Sequence, residues 1–492
     1  MQNLPQLLYR AAQLRELDRI AISDYGIPGA ALMANAGAAA FNVLREFWPQ
    51  AGRISVVCGL GNNAGDGFVL ARLARENGLD VTVLQLGDIA RLRGDALAAR
   101  AAFIESRGVP RAFTPDALNT AELLVDALLG TGLDREISAE WRIAIEAMNA
   151  SGIPIFALDI PSGLDADSGQ VLGVAIRAQA TISFIGLKQG MFTGQARNYC
   201  GKIFFADLGL PAELFHRIPV SAARINLGSM PEPIPRPRAA HKGNNGHVLV
   251  IGGDHGMAGA IRLAGEAAAR IGAGLVTIAT RPDHVSGINA ARPELLCRGI
   301  KSAGQLLPLI EAANVIAIGP GLGRTSWAVE LFARVLDSPV PLVIDADGLN
   351  LLALEPVRCA NWILTPHPGE AARLLGCSIA EIEKDRFAAV AELHKRYGGA
   401  VVLKGAGTLV WAGTGPIAVC DAGNPGMASG GMGDVLTGVI AGLLAQGSGL
   451  EAAAQLGVCL HAAAGDRAAR EGERGMLASD LFPHLRYGVN FG

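Results

Sequence analysis

RISVVCGLGNNAGDGFVLARLARENG, residues 53–78, decides the fold of the first half of the chain. Its opening RISVVC is rich in β-branched residues, as a buried strand requires, and FVLARLARENG repeats apolar residues at helical spacing. Between them GLGNNAGDG (59–67) places glycines and two asparagines at a strand-to-helix turn. Such a turn lets the backbone approach a ligand closely and aims amide N–H groups at an anion near the helix N-terminus. Gly59-x-Gly61 alone is a weak signal, since many α/β proteins carry one. Asn62, Asn63 and Asp66 add an amide and carboxylate cluster, and the next strand, VTVLQLGD, offers Gln85 and Asp88 where a dinucleotide fold usually places an acid.

Outward from this stretch, strands are expected at 80–86, 122–130, 154–163, 180–186 and 201–209, with helices at 10–24, 28–47, 66–77, 94–107 and 139–150. Pro49 closes the second helix. This alternation implies βαβ crossovers, a mostly parallel sheet and ligand loops at the strand C-termini. At 227–240, LGSMPEPIPRPRAA breaks the pattern with Pro231, Pro233, Pro235 and Pro237, an extended connection. A second α/β series follows, with strands at 247–253, 275–280, 315–323, 341–348, 362–370 and 400–408 and helices at 430–446 and 449–471. Two domains are expected, 1–225 and 226–492, of the same class but without a common repeat.

Composition narrows the partners. Half of the 492 residues are apolar, 18% are charged and the formal net charge is −3, with acid and base mixed along the chain. That leaves no electrostatic footprint for nucleic acid or an acidic membrane, so a small-molecule partner is expected. The seven cysteines are scattered singly with no CxxC, as buried reduced thiols are. MQNLPQLLYRAAQLRELDR has no basic start followed by an apolar run, which points to the cytoplasm.

Two further strand ends of the first half carry chemistry: Asp126 in VDALLGTGLDRE, and Asp159 with Ser162 in ALDIPSGLDAD. Asn63, Asp126 and Ser162 are hard oxygen donors suited to an alkali or alkaline-earth cation rather than zinc. Each Asp alone reads equally well as a cap or turn former; three strand-end clusters on one sheet edge favour a site.

GLGNNAGDG, VDALLGTGLDR and ALDIPSGLDAD are similar to motifs of the NAD(P)H-hydrate epimerases, over about residues 10–225. The resemblance implies a Rossmann-like three-layer domain that interconverts the R and S epimers at C6 of the hydrated nicotinamide ring and binds K+. By position, Asn62, Asn63, Ala64, Gly65 and Asp66, with Gly130, Thr131, Gly132, Leu133, Asp134, Arg135 and Glu136, would contact the cofactor. Asn63, Asp126 and Ser162 would bind the potassium, and Asp159 would face the ring as a catalytic residue. Ala64 stands where the family usually has glycine, and its methyl is expected to narrow the phosphate space slightly.

In the second half, AGNPGMASGGMGDVLTGVIAGLLAQ (422–446) leads Gly430, Gly431 and Gly433 into an apolar helix with Asp434 in its first turn. A carboxylate beside an anion hole can take a proton from a hydroxyl attacking phosphorus. Helix capping is the plainer reading of Asp434, but KGAGT (404–408) ends one expected strand and GPGLG (319–323), DADGLN (345–350) and TPHPGE (365–370) end three others. The set resembles the ribokinase-like superfamily, and TPHPGE with NPGMASGGMGDVLTG narrows it to the ADP- or ATP-dependent NAD(P)H-hydrate dehydratases, over about residues 240–490.

By that resemblance Lys404, Gly405, Ala406, Gly407, Thr408 and Gly433 would hold ADP or ATP with Mg2+, and Ala260, Gly323, His367 and Asp434 would contact the hydrated cofactor. The implied chemistry is phosphorylation of the C6 hydroxyl followed by loss of phosphate, with NADHX and NADPHX as substrates. Asp345 and Asp347 read either as magnesium helpers or as turn formers. A homo-oligomer is expected. Two other readings stay open at this point: a vitamin or sugar kinase fused to a Rossmann-like regulator, and a nucleotide sensor without catalysis.

Overall fold

The computed structural model describes residues 4–133, 135–231 and 235–491. Asp134 and Pro233, both singled out in the sequence, lie outside the described residues. The chain divides into two compact units, Met1–Ala223 and Arg224–Gly492.

Strands in the first unit are β1 (Leu7–Tyr9), β2 (Arg53–Cys58), β3 (Asp80–Gln85), β4 (Arg111–Ala112), β5 (Leu123–Ala127), β6 (Ile155–Leu158), β7 (Ala180–Phe184), β8 (Leu187–Lys188) and β9 (Lys202–Ala206), with β10 (Ala222–Ile225) at the unit boundary. Seven of them form a parallel sheet in the order β4-β3-β2-β5-β6-β7-β9. The short β1 pairs separately, parallel to β8 and antiparallel to β10. The pleat of β2 sends Val56 and Cys58 to one face and Val57 to the other. On the first face they meet the helices Ala11–Ser23, Gly29–Phe47, Asn62–Glu76 and Gly94–Glu105; on the second, Ala139–Ala150 contributes Ala144, Ile145 and Met148. The result is three layers.

From β2 the chain winds outward through β3 and β4, then returns to lay β5 on the other side of β2. The β2/β5 crevice is therefore the switch point where a doubly wound sheet binds its ligand. One expectation is corrected there: the helix begins at Asn62, so Asn62 to Asp66 occupy its first turns instead of a loop before it. Pro49 follows a helix that ends at Phe47, as expected.

The second unit has β11 (His247–Ile251), β12 (Leu275–Thr280), β13 (Leu296–Gly299), β14 (Val315–Ile318), β15 (Leu342–Ile344), β16 (Trp362–Leu364), β17 (Ala400–Leu403), β18 (Thr408–Trp411) and β19 (Ile417–Cys420). Their order is β13-β12-β11-β14-β15-β16-β17-β18-β19, parallel as far as β17 and antiparallel beyond it. The helix Met432–Ala445 packs into the core with Ala258–Ile271, bringing Val435, Leu436 and Val439 against Ile261 and Ala264. Sequence patterning missed β13, β18 and β19, which are four residues each. Among the described residues no helix is long and apolar enough to cross a membrane.

Candidate functional sites

At the β2/β5 crevice of the first unit lies a cavity of about 510 Å³, lined among others by Gly61, Asn62, Asn63, Asp66, Gly130 to Leu133, Arg135, Asp159 and Lys188. Its walls are close because glycine permits it: a Cβ at Gly59 would lie 2.0 Å from the Leu128 carbonyl oxygen. A Cβ at Gly130 would meet Asp159 Oδ2 at 3.4 Å and Asn63 Cβ at 3.5 Å, which places these two expected residues on either side of the turn.

Asp126 is completely buried at the end of β5. Ser162 donates to it from its amide at 2.8 Å and from its hydroxyl at 2.6 Å, and the Leu128 amide adds a bond at 3.2 Å. Burial raises the Asp126 carboxyl to about 6 while these hydrogen bonds pull the other way. Asn63 donates to the Leu129 carbonyl at 3.0 Å, and its own carbonyl oxygen is buried without a partner. A buried acceptor left unpaired beside a buried carboxylate is an environment a cation satisfies.

Asp159 holds a left-handed backbone, φ +64°. Its carboxylate is paired with the ammonium of Lys188, a side chain 1% exposed that also donates to Ser183 Oγ at 2.9 Å. Ile185 and Leu208, at φ +63° and +58°, line the same cavity. Three of the five described non-glycine residues with positive φ thus converge on one site, and strain of this kind persists where surrounding packing over-determines it. Asp66 also faces the cavity; burial, then the nearby charges of Asp159 and Asp18, push its carboxyl well above the ordinary range.

Two expected cofactor contacts fall elsewhere. Ala64 is fully buried in the apolar core, so its methyl occupies core volume and does not narrow the phosphate space. Gly65 packs against Met33, where a Cβ would come 2.5 Å from the thioether. Neither these two nor Glu136 lines the cavity, whereas Lys188, absent from the sequence reading, does. Its signal was a lone lysine between the apolar strand at 180–184 and the equally buried QGMF.

In the second unit the strand ends gather a charged cluster. Lys404, after β17, donates to Asp345 Oδ1 at 2.7 Å and lies 3.7 Å from Glu370. Thr437 donates to the other Asp345 oxygen at 2.8 Å. Burial works against the Lys404 charge, but Asp345, Glu370 and Asp434 outweigh it and hold the ammonium above its usual value. A Cβ at Gly433 would sit 3.3 Å from Lys404 Nζ, so the first turn of Met432–Ala445 lies against the lysine. Gly431 caps that helix at φ +88°, a conformation L side chains adopt only under strain.

Asp434 has its carboxyl raised to about 7, first by burial and then by the charges of Asp345 and Glu370, with Lys404 opposing. Glu370 is likewise raised to about 7 by burial. His367 caps its helix by accepting from the Gly369 amide at 2.9 Å, and burial followed by Lys404 lowers its ring. Ala260 packs beside Gly321, where a Cβ would meet its methyl at 3.2 Å, and the Gly323 amide donates to Asp347 at 2.9 Å. Asp345 and Asp347 are therefore engaged in holding loops together, and the Asp345 side chain does not cap its helix. Sequence reasoning quoted TPHPGE but left Glu370 out of the site, and it overlooked Thr437.

Residues 29–190 match the family described as YjeF-related protein N-terminus, and residues 248–486 the family described as NAD(P)H-hydrate dehydratase. The bifunctional NAD(P)H-hydrate repair enzyme of Coxiella burnetii (strain RSA 493 / Nine Mile phase I) is 51% identical, over 98% of this chain and 99% of that protein. Its counterpart in Escherichia coli (strain K12) is 45% identical over 99% and 95%. A solved ribokinase-like superfamily protein from Enterococcus faecalis V583 is 30% identical with a TM-score of 0.51, covering 54% of this chain and 95% of its own. The match over the whole length sets aside the readings as a vitamin kinase fusion or a sensor without catalysis. The chain belongs to the bifunctional NAD(P)H-hydrate repair enzymes, which join an epimerase to an ADP- or ATP-dependent dehydratase.

Proposed function

We propose that residues 1–225 carry the epimerase and 226–492 the dehydratase, in a cytoplasmic homo-oligomer that restores NADHX and NADPHX to the working cofactors. The observation that carries the second assignment is Asp434, a carboxylate titrating near neutrality in the first turn of a glycine-capped helix. There it takes the proton of the C6 hydroxyl as that oxygen attacks the terminal phosphorus of the nucleotide. The helix N-terminus and Gly433 stabilise the transferring phosphate. Loss of the phosphate from C6 with a proton from C5 then restores the ring double bond, because phosphate leaves far more readily than water. Lys404 to Thr408 hold the nucleotide, and Ala260, Gly323 and His367 hold the hydrated cofactor. Among the described residues no three His, Cys, Asp or Glu side chains converge to hold an ion, so Mg2+ would arrive on the nucleotide phosphates.

In the first unit Asp159 takes the proton of the C6 hydroxyl as the C6–N1 bond opens to an aldehyde, the electron pair passing to the ring nitrogen and its conjugated amide. It returns the proton when that nitrogen closes on the opposite face of C6; Lys188 orients the Asp159 carboxylate. Asn63, Asp126 and Ser162 fit K+: one orphaned buried carbonyl, one buried carboxylate and one hydroxyl. Held there, such an ion would supply positive charge beside the Asp126 carboxylate and toward the substrate phosphates. Asn62, Asp66, Gly130 to Leu133 and Arg135 line the space for the substrate.

The test is recovery of reduced-nicotinamide absorbance from an R and S hydrate mixture, with ADP and ATP supplied separately. Full recovery with ADP is expected. Recovery without any nucleotide would remove the phosphorylation step.

A further inference from the structure

Gly323 lies in the turn after β14, and two carboxylates hold it. Asp347 accepts from its amide at 2.9 Å. Its α-carbon rests against Asp254, in the turn after β11: a Cβ at 323 would stand 2.9 Å from Asp254 Oδ2 and 3.3 Å from Asp254 Cβ. With φ +71° and no room for a side chain, the position requires glycine. Since its amide is given to Asp347, Gly323 has only its carbonyl oxygen to offer a ligand, and among the described residues no protein donor takes it.

Asp254 is 4% exposed, and both of its carboxylate oxygens are engaged. Oδ1 accepts from Arg281 Nε at 2.7 Å and from the His255 amide at 2.8 Å, and Oδ2 accepts from Thr325 Oγ1 at 2.9 Å. Arg281 follows β12, its guanidinium carbon 4.1 Å from the centre of the Trp327 ring, so one carboxylate ties together the ends of β11, β12 and β14. The main chains of the two turns are joined as well: the Asp254 amide donates to the Gly321 carbonyl at 2.6 Å and the Gly253 amide to that of Pro320 at 3.0 Å. Burial opposes the Asp254 charge, but the hydrogen bonds from Arg281, His255 and Thr325 outweigh it and hold the carboxyl below its ordinary range. The group is a fixed anion whose role is to hold its neighbours.

We propose that Asp254 is a positioning residue of the dehydratase, holding the Gly323 turn so that the Gly323 carbonyl accepts from an N–H or O–H group of the hydrated cofactor. The inference rests on the reading that Gly323 contacts that cofactor. Without the carboxylate the turn keeps its main-chain bonds but loses its side-chain anchor. The substrate contact then loosens, while the nucleotide loop after β17 is left as it was.

Asp254→Ala, Asp254→Asn, Thr325→Val, Thr325→Ser and Gly323→Ala are made in the full chain, and KM for S-NADHX and KM for ADP are measured separately in nucleotide-dependent recovery of reduced nicotinamide. Asp254→Ala should raise KM for S-NADHX about tenfold and leave KM for ADP at the wild-type value. Asp254→Asn, which can still accept from Arg281 and the His255 amide, should raise it less. Thr325→Val should raise it about threefold, and Thr325→Ser, which keeps the hydroxyl, should restore it. Gly323→Ala probes the underlying contact and should raise KM for S-NADHX about tenfold. Wild-type KM in Asp254→Ala beside a raised KM in Gly323→Ala would overturn the proposal and leave the contact standing; wild-type KM in both would remove the contact itself. An equal rise for S-NADHX and ADP would make Asp254 a general support of the fold and also overturn the proposal. Should Asp254→Ala fail to fold, the Thr325 pair decides, and equal KM values in Thr325→Val and Thr325→Ser would overturn it.

Discussion

Lys404 donates to Asp345 across 2.7 Å, and the carboxylate it holds is 1% exposed. This pair ties the turn after β17 to the head of the helix after β15, and its lysine stands against Gly433 one residue before Asp434. Lys404→Met would leave Asp345 buried with Thr437 as its hydrogen-bond donor. Removing one partner of a buried pair costs about 3 kcal/mol, and a urea titration followed in the isolated 226–492 fragment should show a loss of that order. Calorimetry should find nucleotide affinity reduced at least tenfold. Unchanged affinity would take Lys404 out of the nucleotide site.

The Asp434 carboxyl at about 7 has two consequences of opposite sign. A base works only when deprotonated, so nucleotide-dependent repair should rise with pH through about 7, with Asp345, Glu370 and Lys404 as the charges that set the midpoint. Stability runs the other way. In the folded chain the group keeps a proton that the unfolded chain has released, so the folded state loses stability as pH rises from the ordinary carboxylate range through about 7. Asp434→Asn removes that penalty. By differential scanning fluorimetry without nucleotide, the variant should melt above the wild type at pH 8 and close to it at pH 5. A variant that melts lower at pH 8 would contradict the burial argument.

Lys188 is 1% exposed and its nearest anionic partner is Asp159. Lys188→Met should leave the fold intact, since a methylene stem of similar volume replaces a buried charge, but it frees the carboxylate to swing. Epimerisation should fall about a hundredfold in kcat with a smaller change in KM, while dehydration of the S epimer stays at wild-type rate. A change in KM alone would make Lys188 a binding residue.

Exchange of potassium for a bulky organic cation should slow epimerisation and lower the melting temperature of the first unit, because Asn63, Asp126 and Ser162 would lose a bound charge. Ser162→Ala should weaken the potassium dependence of the melting temperature, and Asp126→Ala should abolish it. Identical melting curves in the two cations would remove the ion from this site.

The sheet-forming runs were legible because buried parallel strands read as continuous apolar segments, and most of the expected strands overlap observed ones at their N-terminal ends. Their C-terminal bounds ran long: 154–163 is expected and β6 stops at Leu158, because Asp159, though its amide still donates to the Ile182 carbonyl, takes a left-handed backbone that ends the ladder. The short strands β13, β18 and β19 escaped notice because four residues carry too little periodicity. Motifs revealed the residues beside glycines, such as Asp159 and Asp434. Lys188 and Glu370 were harder to find, since their roles come from three-dimensional neighbours that no spacing records. Ala64 shows the reverse case: the sequence places it in a ligand motif, and helix geometry turns its methyl to the core.

The central claim is that two separate chemistries, one centred on Asp159 and one on Asp434, together repair both epimers. The direct measurement is the extent of reduced-nicotinamide recovery from an equal mixture of R and S hydrates with ADP, compared between Asp159→Asn and Asp434→Asn, each shown to be folded by circular dichroism. Asp434→Asn should recover essentially none while still interconverting the epimers, as seen by chromatography. Asp159→Asn should recover the S half quickly and strand the R half, apart from slow spontaneous conversion. Near-normal recovery by folded Asp434→Asn, or full rapid recovery of both epimers by Asp159→Asn, would contradict the assignment.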